Sequence, residues 1–487
     1  MTTDLDIAGP RPNRRRIITL VAAVLGLGLI GIGGTVVDAA EPAFRPSRIP
    51  LVGRTTTICT AAPPTSGEAT TGVAAVVSRQ APGRQGKLTG TPLAGGKASL
   101  TITEQGKATQ LDGVRDPVVM AGVGVMATAS SAAVFNLATE GVDAGLSAAP
   151  CLTPGTTHWF TGLGATEADR TDLVLTNADD AQASVDLRFY GPKGRVVVPG
   201  SPGLVVDAHS TAIVSLSNQV NVEGPLAVAI QASQGRVSAV AKRTRASGSK
   251  PIGSDWQVPS LPPALSMAIP AVPEDDGARE LVVTNPGPVR ASVNVTVLGL
   301  QGPYAPSGAE TVDVDAESSA TVDLAAGLAG EAATIELTSD QPVVGAVVSS
   351  SRRSRAQADI AIQSAAAPLV RTGVSALATT RAGEGELVLS NTGTKDAAVS
   401  FEVLSFDGVV LRTDDVLLGP DSTATRRLNS PAPSYVVVRV PEGSAVVGGV
   451  VLTQAESEVA GLATMPLTSP DVASRAPRTE VDPGVGR

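Results

Sequence analysis

Histidine and cysteine each occur only twice in 487 residues, and aromatic side chains make up 2% of the chain. Two histidines, His158 and His209, leave no material for a repeated Ser-His-Asp site. Together with Cys59 and Cys151 they also fall short of a convincing four-ligand zinc site. Trp159 and Trp256 are the only tryptophans, so a sugar-stacking platform has little equipment. Acidic clusters at Asp179-Asp180, Glu274-Asp275-Asp276 and Asp414-Asp415 lack the spacing of a calcium loop and read as solvated turns. A net charge of −9 argues against nucleic acid as a partner. No catalytic residue, metal or cofactor is assigned.

What is present is repetition. LVLTN at 173–177 returns as LVVTN at 281–285 and LVLSN at 387–391. Eight residues after each asparagine, Val185, Val293 and Val399 open VDLRF, VNVTV and VSFEV; Gly194, Gly302 and Gly408 follow at a constant distance. The segments from Asp207, Asp315 and Pro420 also align. Units of about a hundred residues are domain-sized, well beyond the 20–50 residues of a solenoid repeat.

Within a unit the pattern is one of strands. Val185, Leu187 and Phe189 alternate with Asp186 and Arg188, the period of a half-buried strand. GPKG, GLQG and SFDG then mark turns. Val-rich, aromatic-poor composition suits pleated sheets. The fold class is therefore all-β: tandem immunoglobulin-like β-sandwich modules, with a β-propeller built from the same repeats as the alternative. The modules are placed at 51–157 (diverged), 158–266, 267–368 and 369–467, followed by a disordered tail at 468–487.

Ile17–Val37 is an uncharged run of 21 residues behind Arg11, Arg14, Arg15 and Arg16. As a helix it spans about 30 Å, the thickness of a bilayer core, and the preceding arginines put residues 1–16 in the cytoplasm. The run exceeds the apolar core of a signal peptide, which favours a retained anchor at the cell membrane. Val37 and Ala39 nevertheless suit a cleavage site near Ala39, which would release a secreted protein. The Pro-rich stretch 38–50 reads as a spacer. Cys59 and Cys151 both fall outside the membrane and are expected to pair as a disulfide around the diverged module.

Two basic runs, Lys242-Arg243-Thr244-Arg245 and Arg352-Arg353-Ser354-Arg355, each follow the last strand of a module. Lys242, Arg243, Arg245, Arg352, Arg353 and Arg355 are candidate contacts for an anionic cell-wall polymer or for lipid head groups; the competing reading is a solvated edge that discourages strand pairing.

The pieces HWFTGL (158–163), LVLTN, VDLRFYGPKGRV and GRVSAVAKR, with Cys151 ahead of Trp159-Phe160 and LVVTNP at 281–286, resemble a family of exported actinobacterial proteins, domain of unknown function 5719. The likeness covers roughly residues 50–465. It implies export, an all-β fold and no enzymatic activity, and it carries no functional residues across. The expected role is structural or binding, in a membrane-anchored or secreted cell-envelope protein whose partners are the membrane and a wall polymer or envelope protein. An accessory factor of envelope polysaccharide or cell-wall synthesis, acting through a partner enzyme, is the alternative, and a hydrolase the third.

Overall fold

The LVLTN blocks do not alternate because both faces of their strand are buried. Leu173 and Leu175 pack into the core of their own repeat, while Val174 packs against the preceding one. By contrast VDLRF exposes Arg188 and half-exposes Asp186, so its alternation survives. A computed structural model describes residues 53–60, 69–79, 85–220, 222–351, 358–377, 384–428, 430, 433–454 and 461–470. The apolar run Ile17–Val37 lies outside them, and among the described residues no helix is long and apolar enough to cross a membrane.

The fold is all-β, and every repeat has the same plan. In the first repeat the eight strands are Arg54–Cys59, Ala69–Val77, Gly86–Pro92, Leu100–Ile102, Ala108–Asp112, Val118–Gly124, Ser130–Ala138 and Gly145–Pro150. They form two antiparallel sheets, ordered first-sixth-third-fourth and fifth-second-seventh-eighth. The later repeats follow the same two orders, with the fourth strand split into two short pieces in repeats two and three. The diverged opening segment is thus a full repeat that has lost the sequence signature.

This order departs from the immunoglobulin pattern, in which the sixth and seventh strands are neighbours in one sheet. Here the sixth and seventh strands part company. Repeat three shows why: a single strand, Ala333–Ser350, runs through both sheets. It pairs with Ala291–Gly299 as far as Ser339 and with Arg279–Asn285 from Val344 onward. Pro342, which has no N–H to give a ladder, sits at the changeover.

Nor are the repeats independent beads. Residues from 51 to 479 form one compact unit. The first sheet of each repeat packs on the second sheet of the next: Gly162 faces Val282 and Val348, Ala271 packs with Val388 and Val451, and Val374 shares a core with Ala74 and Phe135. Repeat four therefore closes back on repeat one. That seam is held by hydrogen bonds: Tyr435 Oη donates to the Gly106 carbonyl (2.8 Å), Lys107 Nζ to Asp407 (2.9 Å) and Arg79 to Gly408 (3.1 Å). Burial pushes the Tyr435 phenol up to about 12.

The repeated asparagines are staples. Asn285 Nδ2 donates to the carbonyls of Val289, Val314 and Asp315, and its Oδ1 accepts from the Gly287 N–H. Asn177 and Asn391 make the same four bonds. Gly194, Gly302 and Gly408 all take positive φ, the conformation their turns require.

Candidate functional site

The four eighth strands, Gly145–Pro150, Lys250–Gln257, Ile360–Ser364 and Gly461–Pro466, touch in a closed cycle and define an axis. At matching places in them stand Gly145, Gly253, Asp359 and Gly461. The one aspartate fills space that the glycines leave open; a Cβ on Gly145 or Gly253 would overlap its carboxylate. Its oxygens accept the N–H groups of Leu146 (2.8 Å), Ser254 (3.2 Å), Ile360 (2.9 Å) and Leu462 (2.9 Å), one from each repeat. Burial drives the Asp359 carboxyl well above its ordinary range, with the four N–H groups pulling the other way.

Asp255 lies near it, also fully buried. Its Oδ2 accepts the Ile362 N–H at 2.9 Å, and Oδ1 has no protein partner. Burial raises this carboxyl too, backbone N–H groups oppose the rise, and the charge of Asp359 adds to it. A carboxylate pair can serve acid–base chemistry only where substrate reaches it. Both of these side chains are 0% exposed, and Asp359 is committed to backbone donors from the whole ring. Asp359 thereby ties the four eighth strands to one another.

Where the eighth strands end, the axis widens into an open cavity of about 840 Å³. Residues 150–153, 258–259, 364–368 and 466–470 line it, together with 54–57. Its walls are mainly apolar, with serine and threonine hydroxyls among them. Two arginines reach it, Arg54 and Arg236; the latter holds Asp179 through two bonds of 2.8 and 2.9 Å.

The residues singled out in the sequence fall elsewhere. Cys59 and Cys151 form the disulfide, with a Cα–Cα separation of 4.3 Å. Lys242 and Arg243 are buried and do not present a basic edge to solvent. Lys242 pairs with Asp143 of repeat one, and Arg243 pairs with Asp169 at 2.6 Å and donates to the Gly162 carbonyl. Arg245, about one-fifth exposed, bridges Asp169 (3.2 Å) and Glu280 of repeat three (2.7 Å). Three cations thus face acids of their own chain, two of them across a junction between repeats. Arg352, Arg353 and Arg355 lie outside the described residues.

Glu274, Asp275 and Asp276 line a second cavity, of about 720 Å³, with Glu331, Glu386 and Arg427. Among the described residues no three His, Cys, Asp or Glu side chains are grouped to hold a metal ion. His158 is buried with Nε2 2.9 Å from the Val237 carbonyl, and burial lowers its pKa. His209 occupies a left-handed turn (φ 51°), as do Glu317 (52°) and Asp421 (47°) in the other repeats. Sequence reading passed over Asp359 and Asp255. The available signal for Asp359 was the repeat itself, because it replaces a glycine found in the three other units.

No curated protein matches the chain. One family profile does, over residues 106–384, from within the first repeat to the start of a strand in the fourth. The chain belongs to that family, the family of unknown function DUF5719.

Proposed function

We propose that this protein is an extracytoplasmic component of the cell envelope, tethered through Ile17–Val37, whose ring of repeats serves a binding or scaffolding role without catalysis. The observation that carries the reading is the mainly apolar cavity at the end of the axis, to which segments of all four repeats contribute. Such concave, mostly apolar places with a few polar groups are where ligands and partner segments bind. Two further points support it. The disulfide is compatible with an oxidising compartment, and the Asp359 carboxyl is committed to backbone donors of all four repeats.

A photoreactive side chain placed at Thr57, inside the cavity, tests this in intact cells. Capture of a wall polymer or an envelope protein is the expected result, with none from the same probe at exposed Val197. Capture of cytoplasmic components alone, or resistance of the ring to protease added to wall-stripped cells, overturns the reading.

A further inference from the structure

Lys242 is the one buried lysine among the described residues. Its side chain is 4% exposed and that of its partner Asp143 1%, and Nζ lies 3.3 Å from Oδ2. A well-formed ammonium–carboxylate bond is shorter, about 2.8 Å. Val240 and Trp256, both buried, flank the lysine, the tryptophan directly across the strand pair. Thr244 Oγ1 donates to Asp143 Oδ1 (3.1 Å) and lies 3.4 Å from Ser254 Oγ, which fixes the plane of the carboxyl group.

The Lys242 amine and the Asp143 carboxyl group therefore meet away from bulk water. Those are the two reactants of an amide, and the fold holds them in one geometry, which removes most of the entropic barrier to their joining. We propose that Lys242 and Asp143 condense into an intrachain isopeptide bond linking repeat one to repeat two. The Nζ lone pair attacks Cγ, the new C–N bond forms, and the Cγ–Oδ2 bond breaks. The departing oxygen takes the carboxyl proton and one amine proton and leaves as water, so no oxidant, reductant or cofactor enters. Thr244 acts as a positioning residue.

The bond would extend the work of the disulfide. Cys59–Cys151 closes repeat one on itself, and an Asp143–Lys242 amide would tie that closed unit to its neighbour. At the matching register position repeats three and four carry Val348 and Val451, so the tie is made once.

Mass spectrometry of the full chain, purified from cells, reduced and digested with trypsin, decides the matter. The expected product is the Asp143 peptide joined to the Lys242 peptide, lighter than their sum by one water, with cleavage after Lys242 blocked. Lys242→Arg keeps a cation there and should abolish the joined product. Asp143→Asn should give the same joined mass, ammonia leaving in place of water. Two linear peptides at their sequence masses from the wild-type chain overturn the proposal, whether or not either variant folds.

Discussion

Repeat one and repeats two to four share a strand order but not a staple. In the later repeats a buried asparagine at the end of the second strand satisfies four backbone groups in two loops. The corresponding strand of repeat one ends at Val77, and a disulfide joins the end of its first strand to the residue after its last. The same pairing of eight strands is therefore reached with two different fastenings. The strand pattern specifies the unit, whereas the fastening differs in kind: the asparagines pair backbone groups of two loops, and the disulfide ties the first strand to the end of the last.

The largest effect is expected where the core of one repeat is broken. Val185, Val293 and Val399 are buried at matching positions. Val293→Asp would bury an unpaired carboxylate at a cost of several kcal/mol. Because each repeat packs on both neighbours, the whole ring should unfold in one calorimetric transition and become open to protease along its length. A folded fragment surviving before Met267 would show that the junctions contribute little.

The disulfide comes next. Its partners are 92 residues apart in sequence, and loop closure of that size is worth about 4–5 kcal/mol in the chain-entropy model. Cys59→Ser should lower the denaturation midpoint by that order, and reductant should then shift the variant no further. A staple asparagine should count for less. Asn285→Ala removes one acceptor and two donor hydrogens from buried backbone groups, for about 2–4 kcal/mol. Equal losses at Asn177 and Asn391 would confirm that the three staples are one device, and unequal ones would rank the repeats.

A smaller effect separates the axis from the junctions by its pH dependence. Burial raises the Asp255 carboxyl, so its contribution to stability is fullest below the ordinary carboxyl range, about 4, and is lost as pH rises through the raised folded value. Asp169 behaves oppositely. Burial pushes it up, but Arg243 and Arg245 hold it below its ordinary value, so its contribution is present above that range and is lost as pH falls. Asp255→Asn should therefore be stabilised relative to wild type at neutral pH, with the gap closing toward pH 4. Urea midpoints at several pH values measure it, and a gap that widens in acid would reverse the assignment.

The repeat spacing, the all-β class and the cysteine pair were legible because each leaves a local mark: a recurring block, an alternation, an even count outside the apolar run. The closure of the ring was not. It depends on which face of LVLTN meets which neighbour, and a continuous apolar run carries no label for its two faces. The basic run misled for a related reason. Lys242 and Arg243 read as an edge because their partners, Asp143 and Asp169, are 99 and 74 residues away in sequence and only the fold brings them near. Asp359 was hidden by its own singularity, since a search for repeated polar residues discards the position where one repeat differs.

The smallest effect is expected at the turns before the fifth strands. His209, Glu317 and Asp421 take left-handed backbone at the turn before the fifth strand, although none is glycine. A non-glycine residue there is strained by about 1 kcal/mol, and glycine relieves that strain while giving some back through a freer unfolded chain. Glu317→Gly should therefore stabilise the protein by at most about 1 kcal/mol, read as a rise in its melting temperature. His209→Gly should gain less, because it also removes the exposed contact between the imidazole and Asp180 at 2.9 Å. Equal gains at both turns would show that this contact contributes nothing, and a loss at Glu317 would mean that the turn is held by side-chain contacts rather than merely tolerated.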